Sequence, residues 1–521
     1  MSEIEINPQF QQALDLINEG KQNLFITGKA GTGKSTLLDY FCANASKTPV
    51  LLAPTGVAAL NVKGQTIHSF FNFYVDVTPE KIKKKDTKPK DTKIYEKLKT
   101  IIIDEVSMVR ADLLDCVDTF LQIYGPKKAK LFGGVQMIFV GDLYQLPPVV
   151  TGEEKEIFTT HYDSPYFYSS HALKNTELEI IELDKVYRQK DIEFVELLNR
   201  IRNNSVESSD IEHLNSRFEP KNKPDTDDFY ISLTTTNKKA DEINDKHLHA
   251  IKEEVHTSKA EIKGNFGKEY FPTATKLQFK IGAQIMLLNN EQKRKWVNGS
   301  IGVIESIKKN RNGEEYINIR LHDNYKLVSV YPHAWEVYRF SFDGTGIISE
   351  AIGTFTQYPF RLAWAITIHK SQGKTFDNVI IDIGKATFVA GQTYVALSRC
   401  TSFEGVVLQT PIKKHHIRTD YRISKFFTSY QYKKSAENLT QEDKIAIIKQ
   451  AIKDKAKLDM TYLTANDTKS KSVIIPLTVG NEDYQGKKFP GLRAFCTNRN
   501  EEHMFHVGRI LELKRPNYIF D

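Results

Sequence analysis

The segment GKAGTGKST at residues 28–36 restricts this chain more than any other stretch of its sequence. It matches G-x-x-x-x-G-K-[ST] directly after the apolar run NLFIT, a context that predicts a strand, a glycine-rich turn and then a helix. In such a turn the backbone N–H groups can face an anion, and the start of the helix adds its positive end. We predict that Lys34 reaches the β- and γ-phosphates of a nucleotide and that Ser35 holds Mg²⁺.

Composition sets the broad class of protein. The 521 residues suffice for roughly three or four domains, and 40% hydrophobic with 26% charged residues are typical of a folded globular protein. The net charge of +7 is compatible with a polyanionic partner without requiring one. The N-terminus has no signal pattern and no apolar run reaches about eighteen residues, so we expect a cytoplasmic protein with no membrane partner. The cysteines lie far apart without CxxC spacing, which argues against a zinc site or a disulfide framework: Cys42, Cys116, Cys400 and Cys496.

Two further apolar runs are predicted strands that end in polar side chains. The run TIII at residues 100–103 precedes Asp104 and Glu105, and VQMIFV at residues 135–140 leads into GDLYQLPP, which contains Gln145. Parallel strands present their carboxyl ends to a ligand. Asp104 is therefore predicted to hold Mg²⁺, Glu105 to orient and activate the attacking water, and Gln145 to sense the γ-phosphate.

The α/β pattern begins again after residue 180. Short β runs then follow, separated by Asn-Gly turns at residues 298–299 and 312–313, which predict a small barrel inserted between residues 276 and 355. The α/β pattern resumes with AWAITIHKSQG and YVALSRC. The lysine-rich stretch at residues 81–93 is interpreted as a solvated surface loop in preference to a binding element.

These motifs occur in an order that resembles one known family. GKAGTGKST, APTGVAAL, GQTIHSFF, DEVSM, FGGVQ with GDLYQLPPV, VYRQ, AITIHKSQGKT and YVALSRCTS are similar, in sequence order, to the petite-integration-frequency (PIF-one) DNA helicases of superfamily one, subgroup B, which are related to RecD-like helicases. The resemblance covers roughly residues 1–410. It implies an α/β fold with two RecA-like P-loop NTPase domains, each built on a parallel sheet, and an SH3-like β-barrel inserted in the second.

The patterns and the resemblance together predict the domain boundaries. The first RecA-like domain is expected at residues 1–180, with a small wedge insertion at about 60–80. The second is expected at 181–275 and 356–412, interrupted by the SH3-like insertion at 276–355. A linker is expected at 413–440 and a further small β-barrel domain at 441–521.

The resemblance implies a set of nucleotide contacts in both halves of the chain. Catalytic roles fall on Lys34, Asp104, Glu105, Gln145, Arg188 and Arg399, and Mg²⁺ would be held by Ser35 and Asp104. The family reads adenine with a glutamine whose expected position aligns with Phe10, so Gln9 or Gln12 would substitute. The remaining expected nucleotide contacts are Gly28, Ala30, Gly31, Thr32, Gly33, Thr36 and Gly373.

The resemblance also implies residues that face DNA. Hydroxyl groups, backbone N–H groups and a lysine contact phosphates without reading sequence. Phe70, with Phe71, is interpreted either as an apolar wedge or stacking surface at the duplex junction or as core packing. The other expected DNA contacts are Pro54, Thr55, Gly56, Thr66, His68, Ser69, Thr367, His369, Lys370, Ser371 and Thr375.

The C-terminal segment resembles a WYL domain, a small Sm-like β-barrel. Where the eponymous Trp-Tyr-Leu would stand, this chain has Pro490, Gly491 and Leu492. Arg493 and Arg509 are candidate anion contacts. A nucleic-acid ligand, a protein ligand and a purely structural role all stay open for this domain.

The resulting hypothesis is an ATP- and Mg²⁺-dependent DNA helicase that moves 5′→3′ on single-stranded DNA and unwinds duplex DNA in genome maintenance, including replication, repair, recombination and telomere-type functions. The direction comes from the resemblance alone. We expect single-stranded and forked DNA as partners, a monomer in solution, and a prokaryotic, nucleoid-associated location. The alternatives are a nucleotide-dependent nucleic-acid binding switch and an RNA-directed helicase.

Overall fold

The structure is a computed structural model. It describes residues 6–45, 48–74, 76–85, 89, 91–152, 154–174, 176–189, 191–219, 229–291, 295–322, 325–343, 347–384, 389–464, 469–484 and 487–515. The chain divides into two units, one of residues 1–202 with 206–418 and one of residues 203–205 with 419–521.

A sheet of six parallel strands forms the first half of the larger unit. Its central strands are buried on both faces, which explains why they are continuous apolar runs without alternation. In sheet order the strands are Gln65–Thr66, Val50–Ala53, Thr100–Ile103, Gln136–Val140, Asn23–Gly28 and Leu178–Leu183. The helices of this half are Pro8–Glu19, Lys34–Asn44, Gly56–Asn61, Ile67–Phe71, Pro79–Lys83, Lys93–Glu96, Ala111–Tyr124, Lys155–His161 and His171–Lys174.

The turn that contains FGG is held by a buried carboxylate. Phe132 and the two glycines after it have left-handed backbones, with φ of 49°, 60° and 70°. Asp118 accepts a hydrogen bond from the Phe132 N–H at 2.6 Å. A Cβ atom on Gly133 would lie 2.4 Å from the Leu121 carbonyl oxygen, so only glycine fits there. This segment therefore fixes the entry into the strand Gln136–Val140.

The aromatic residues after GQTIHS lie in the core of the first half. Phe70 is 5% exposed and Phe71 is fully buried. The centre of the Phe71 ring lies 5.3 Å from that of Phe120 and 6.1 Å from that of Tyr95. A wedge that meets a duplex needs exposed rings, so of the two interpretations of Phe70 and Phe71 the burial supports core packing and argues against Phe70 as a DNA contact. The described part of the predicted wedge region forms short helices on this aromatic core instead.

A second parallel sheet forms the other half of the larger unit, as predicted from the repeated pattern. In sheet order its strands are Ala365–Thr367, Ile231–Thr234, Val379–Asp382 and Val406–Leu408. Its helices are Ile192–Arg202, Ser208–Asn215, Asn237–Ala250 and Gln392–Leu397.

The insertion in the second half is antiparallel and longer than predicted. It extends from residue 256 to residue 362. Five strands form one sheet in the order Leu327–Val330, Glu315–Leu321, Ile301–Lys309, Gln284–Leu287 and Phe360–Leu362, and no pairing among the described strands closes it into a barrel. The other strands form a three-stranded sheet, His333–Phe342, Ile347–Gln357 and Glu261–Gly264, and a two-stranded one, Lys276–Phe279 and His256–Lys259.

The smaller unit begins with a helix where a linker was expected. The helix Tyr421–Asn438 is capped by Asp420, whose side chain accepts a hydrogen bond from the Arg422 N–H. A second helix, Gln441–Asp454, begins at a capping box formed by Thr440 and Asp443. An antiparallel sheet follows, in the order Glu501–His506, Lys487–Cys496, Lys469–Tyr484, Leu458–Leu463 and Ile510–Lys514. Within the described residues, no helix has the length and apolar character needed to cross a bilayer.

Candidate active site

The glycine-rich turn has the backbone that a phosphate cradle needs. Gly31 and Gly33 have φ of 81° and 86°, a region that other residues rarely adopt. The ammonium of Lys34 donates to the carbonyls of Gly28, at 2.7 Å, and Lys29, at 2.9 Å. Burial lowers the pKa of Lys34, and Asp142 and Glu105 oppose that shift. The Lys34 ammonium is therefore held within the turn by two of the turn's own carbonyl oxygens.

The other residues of the predicted cradle are also in place. Thr32 is buried and donates to the Lys29 carbonyl oxygen at 3.0 Å. Ala30 is buried, and its N–H donates to the Tyr394 hydroxyl of the second half at 3.1 Å. Ser35 and Thr36 are exposed in the first turn of the helix Lys34–Asn44. The cradle is thus rigid on its inner side and open at the start of its helix.

The two predicted carboxylates follow the strand Thr100–Ile103. The Asp104 N–H donates to the Leu52 carbonyl oxygen at 2.9 Å, which continues the sheet pairing by one residue. Glu105 then takes a left-handed backbone, with φ of 50° and ψ of 41°. Burial and, second, the Asp104 charge raise the pKa of Glu105 to about 7. A carboxylate in that range is suited to accept a proton near neutral pH.

Asp104 has the chemistry of a cation ligand. Burial raises its pKa, and the nearby Lys34 opposes this shift. Burial disfavours the charged form of a carboxylate, and a positive charge beside the carboxylate stabilises that form. The hydroxyl of Ser35 and the carboxylate of Asp104 are both oxygen donors, which fits a hard divalent cation such as Mg²⁺.

The two predicted arginines meet at the same cleft from the second half. Arg188 packs directly against the cradle: a Cβ atom added to Gly31 would lie 2.4 Å from the Cβ of Arg188. The Arg188 guanidinium donates to the Ser398 carbonyl oxygen at 3.2 Å. Arg399 is 1% exposed and donates to the Val395 carbonyl and the Ser398 hydroxyl oxygens, each at 2.9 Å. Burial, and then repulsion from Arg188, lower the pKa of Arg399 to about 9.

A buried ion pair joins the halves beside Gln145 and was not predicted. Arg202 contacts Asp142 at 3.3 Å, and the two side chains are 6% and 0% exposed. The Gln145 amide donates to Asp142 at 3.4 Å, as does the Tyr394 hydroxyl. Asp142 lies in the motif GDLYQLPPV and Tyr394 in YVALSRCTS, so the sequence contains a signal for both. Arg202 ends an ordinary amphipathic helix, and nothing in its local sequence indicates this role.

Tyr187 is a second residue that the sequence reasoning missed. Its N–H donates to the Gly31 carbonyl oxygen at 2.9 Å, and its exposed ring lies 3.8 Å from where a Cβ on Gly33 would be. Its position in VYRQ, next to Arg188, was the available signal. In the first helix Phe10 is buried, whereas Gln9 is partly exposed and donates to Asp184 at 3.3 Å. Gln12 is exposed.

The predicted DNA contacts of the first half divide by exposure. Thr55 and Ser69 are exposed, and Pro54 and His68 are partly exposed. Burial lowers the pKa of His68. Two of the predicted contacts face other parts of the chain instead. Thr66 is buried and lies 3.2 Å from the Tyr270 hydroxyl, and Gly56 is buried against the Glu269 carbonyl.

The predicted contacts of the second half form one tight turn. His369, Lys370 and Thr375 are exposed on it, and so is Gly373, which was expected as a nucleotide contact. Thr367 and Ser371 are buried, contrary to a role as surface contacts: the Thr367 hydroxyl accepts from the Lys370 N–H and the Ser371 hydroxyl donates to the Ile368 carbonyl. These two hydroxyls shape the turn that presents the exposed residues.

The two C-terminal arginines lie on the sheet of the smaller unit. Arg493 is exposed and forms an ion pair with Glu482 at 3.3 Å. Arg509 donates to the Thr464 carbonyl oxygen at 2.9 Å. Each therefore has a protein partner of its own.

Comparison with known proteins places this geometry in context. A family model described as PIF1-like helicase matches residues 5–212. The ATP-dependent DNA helicase Pif1 of Bdellovibrio bacteriovorus is 32% identical over 421 residues, which cover 78% of this chain and 88% of that protein. The crystal structure of Bacteroides sp. Pif1 with ADP-AlF4 has a TM-score of 0.75 at 35% identity, and that of Bacteroides Pif1 bound to single-stranded DNA has 0.58 at 34%. Each covers 83% of this chain and 98% of its own.

Proposed function

The chain belongs to the PIF1-like helicase family, and we propose that it uses ATP hydrolysis to move 5′→3′ along single-stranded DNA and to separate the strands of a duplex ahead. It is an ATP-hydrolysing DNA helicase. The observation that carries the coupling is the convergence of the two halves on one cleft. Lys34 and Glu105 come from the first parallel sheet, whereas Arg188 and Arg399 come from the second half.

This division of the site makes hydrolysis depend on closure of the cleft. An arginine that stabilises the transferring phosphoryl group is worth roughly 10³–10⁵ in rate. Arg188 and Arg399 supply that charge only when the second half lies against the cradle. Each round of ATP binding, hydrolysis and release would then close and open the cleft once, and that movement is available to displace DNA.

Within the cleft, we assign ATP to the cradle of residues 28–36 and Mg²⁺ to Ser35 and Asp104. Mg²⁺ supplies positive charge to the β- and γ-phosphates when bound. Glu105 takes the proton of the attacking water. Gln145 lies beside the cleft, where it can sense the γ-phosphate. We assign the base to the exposed ring of Tyr187, which lies beside Gly33 and can stack on it. The edge of the base is assigned to Gln9, whose amide bonds Asp184, three residues before Tyr187.

Single-stranded DNA is assigned to the exposed residues of both halves. These are Pro54, Thr55, His68 and Ser69 in the first and His369, Lys370 and Thr375 in the second. They offer hydroxyl, imidazole and ammonium groups, which suit a sequence-independent phosphate contact. Structures of relatives contain single-stranded DNA, which favours this assignment over an RNA-directed helicase.

We further propose that the insertion at residues 256–362 corresponds to the SH3-like domain, that the smaller unit is a WYL-like module, and that forked DNA is a substrate of a monomeric, nucleoid-associated enzyme in genome maintenance. The antiparallel sheets of both regions support the first two assignments.

A strand-displacement assay with 5′-tailed and 3′-tailed duplexes tests the proposed function. We expect ATP- and Mg²⁺-dependent unwinding of the 5′-tailed duplex and little unwinding of the 3′-tailed one. The Lys34→Ala variant should neither hydrolyse ATP nor unwind DNA while its thermal midpoint and DNA affinity are retained, because the Lys34 ammonium is hydrogen-bonded to carbonyls of the cradle. ATPase stimulation without strand separation would indicate a binding switch, and stronger stimulation by RNA would indicate an RNA helicase.

A further inference from the structure

One turn of the second half is bonded to catalytic residues of both halves. We call residues 368–375 the coupling turn. The amide nitrogen Nε2 of Gln372 donates to Oε2 of Glu105 at 2.9 Å. The guanidinium of Arg399 donates to the carbonyl oxygen of Lys374 at 3.3 Å. The carboxylate that accepts the proton of water and the arginine that stabilises the phosphoryl group are thus attached to neighbouring residues of the same turn.

The coupling turn also has exposed residues. His369 and Lys370 are two of them, one and two residues after Ile368. The Gln372 N–H donates to the His369 carbonyl oxygen at 3.2 Å, and the Lys374 N–H donates to the Ser371 carbonyl oxygen at 3.0 Å. These hydrogen bonds between residues three positions apart make the turn compact. We therefore expect a shift at His369 or Lys370 to move the Gln372 amide as well.

We propose that Gln372 is a positioning residue through which the coupling turn sets Glu105 for hydrolysis when DNA contacts His369 and Lys370. The amide fixes Oε2 and thereby orients Oε1 toward the attacking water. Water attacks the γ-phosphorus, the bond from phosphorus to the β–γ bridging oxygen breaks, ADP leaves with that electron pair, and Glu105 takes the proton of water. The inference rests on the proposed ATP-driven action on DNA.

The Gln372→Met variant of the full chain tests this role, because Met has a similar length and donates no hydrogen bond. Oligothymidine serves as the DNA probe. We expect kcat at saturating DNA to fall roughly ten- to hundred-fold, the rate equivalent of one hydrogen bond to a charged group. The KM for ATP, the Kd for DNA and the thermal midpoint should stay near wild type. The stimulation ratio, kcat with DNA divided by kcat without it, should fall about tenfold.

A double-mutant cycle separates positioning from general damage to the site. If Gln372 acts through Glu105, adding Gln372→Met to Glu105→Gln should cause no further loss of kcat. Gln122→Met is the matched control, because the Gln122 amide also donates to a carboxylate, that of Asp118 at 2.6 Å, in the helix Ala111–Tyr124 outside the coupling turn. It should keep the wild-type stimulation ratio.

Three results would overturn the inference: an unchanged kcat with DNA in Gln372→Met, an equal fold-loss with and without DNA, or multiplicative losses in the double variant. These are distinguishable from failure of the proposed function. In that case the wild-type protein itself would show no DNA-stimulated ATPase and no unwinding.

Discussion

At the scale of single residues, the active site consists of charged groups that the fold holds partly out of water. Lys34, Glu105 and Arg399 each have a pKa shifted by burial toward their neutral form. A bound nucleotide with its cation offers opposite charges to all three. Binding the nucleotide and its cation should therefore stabilise these charges more than it would stabilise the same residues in a solvated cluster.

The first prediction concerns the two cleft arginines. Arg188→Ala and Arg399→Lys should each lower DNA-stimulated kcat at least about a hundred-fold with only a small rise in the KM for ATP, since both act on charge that develops in the transition state. Lysine is chosen at position 399 because alanine would leave a buried void. Steady-state kinetics check this.

The matched control for the arginine variants is Arg217→Ala. Arg217 donates to backbone carbonyls of Val406 and Glu404, away from the cleft. It should lower the thermal midpoint and leave kcat of the folded enzyme near wild type. A variant at Arg188 or Arg399 that raises KM alone would identify that arginine as a ground-state binder instead.

The second prediction concerns Lys374. Burial and, second, repulsion from Arg361 lower its pKa to about 7 from the ordinary value near 10.4. Between those values the unfolded chain binds more protons than the folded one, so this group makes stability rise with pH. Lys374→Met removes the effect. The variant should be more stable than wild type at pH 7, by roughly 1–3 kcal/mol, and the gain should shrink toward pH 10.

Urea unfolding at both pH values measures this, with exposed Lys276→Met as the control that should change little at either. A Lys374→Met variant whose stability difference from wild type is the same at pH 7 and pH 10 would contradict the assigned cause.

At the scale of elements, the sequence was most informative where one strand carries both packing and chemistry. The run TIII predicted a buried strand. Asp104 and Glu105, which follow it, predicted the site, because ligands bind at the carboxyl ends of the strands in parallel sheets. The helix Tyr421–Asn438 was not predicted, because only Ile423 and Ser435 of its eighteen residues are buried, so it has no apolar period to detect.

Contacts between distant elements explain the other differences. Phe70 and Phe71 follow polar residues and therefore resembled surface groups, but Tyr95 and Phe120, far along the chain, cover them. Arg202 was missed for the same reason, because its partner Asp142 lies sixty residues away. Sequence patterns report on residues that are close in the chain. These contacts join residues that are distant in the chain, so the patterns could not predict them.

The third prediction tests the placement of those rings. Phe71→Ala should reduce the free energy of unfolding by about 3–5 kcal/mol, because the ring is fully buried among other rings. Tyr74→Ala, on the same segment but 67% exposed, should change it by less than about 0.5 kcal/mol. Thermal and urea unfolding check both. A Phe71→Ala variant of wild-type stability that fails to unwind DNA would restore the wedge.

At the scale of the whole molecule, the nucleotide chemistry and the C-terminal sheet belong to separate units. All the residues assigned to ATP lie in the unit of residues 1–202 and 206–418, whereas Arg493 and Arg509 lie in the other. The similarity to Bacteroides Pif1 structures is also greater for the ADP-AlF4 complex and the unliganded protein, with TM-scores of 0.75 and 0.74, than for the complex with single-stranded DNA, with 0.58, so the chain is more similar to the structures without DNA.

The last prediction follows from that separation: removal of the smaller unit should weaken DNA binding and leave the chemistry intact. Truncation is best made after Arg418, since a later cut would divide the helix Tyr421–Asn438. At saturating DNA the truncated chain should keep wild-type kcat. If the C-terminal sheet holds a second stretch of single strand, tethering raises the local concentration of DNA, and its loss should raise the Kd and shorten unwinding runs.

Salt dependence identifies the kind of contact that is lost. Phosphate contacts act by releasing counterions, so the difference in Kd between full-length and truncated chains should be largest at low salt and shrink as salt rises. Arg493→Ala is the point variant matched to the truncation. Since Arg493 is paired with Glu482, its loss should reproduce only part of the effect. Equal affinity and equal run length for the two chains would make the smaller unit a protein-docking or stabilising module, the role that Pro490 and Gly491, in place of Trp and Tyr, leave open.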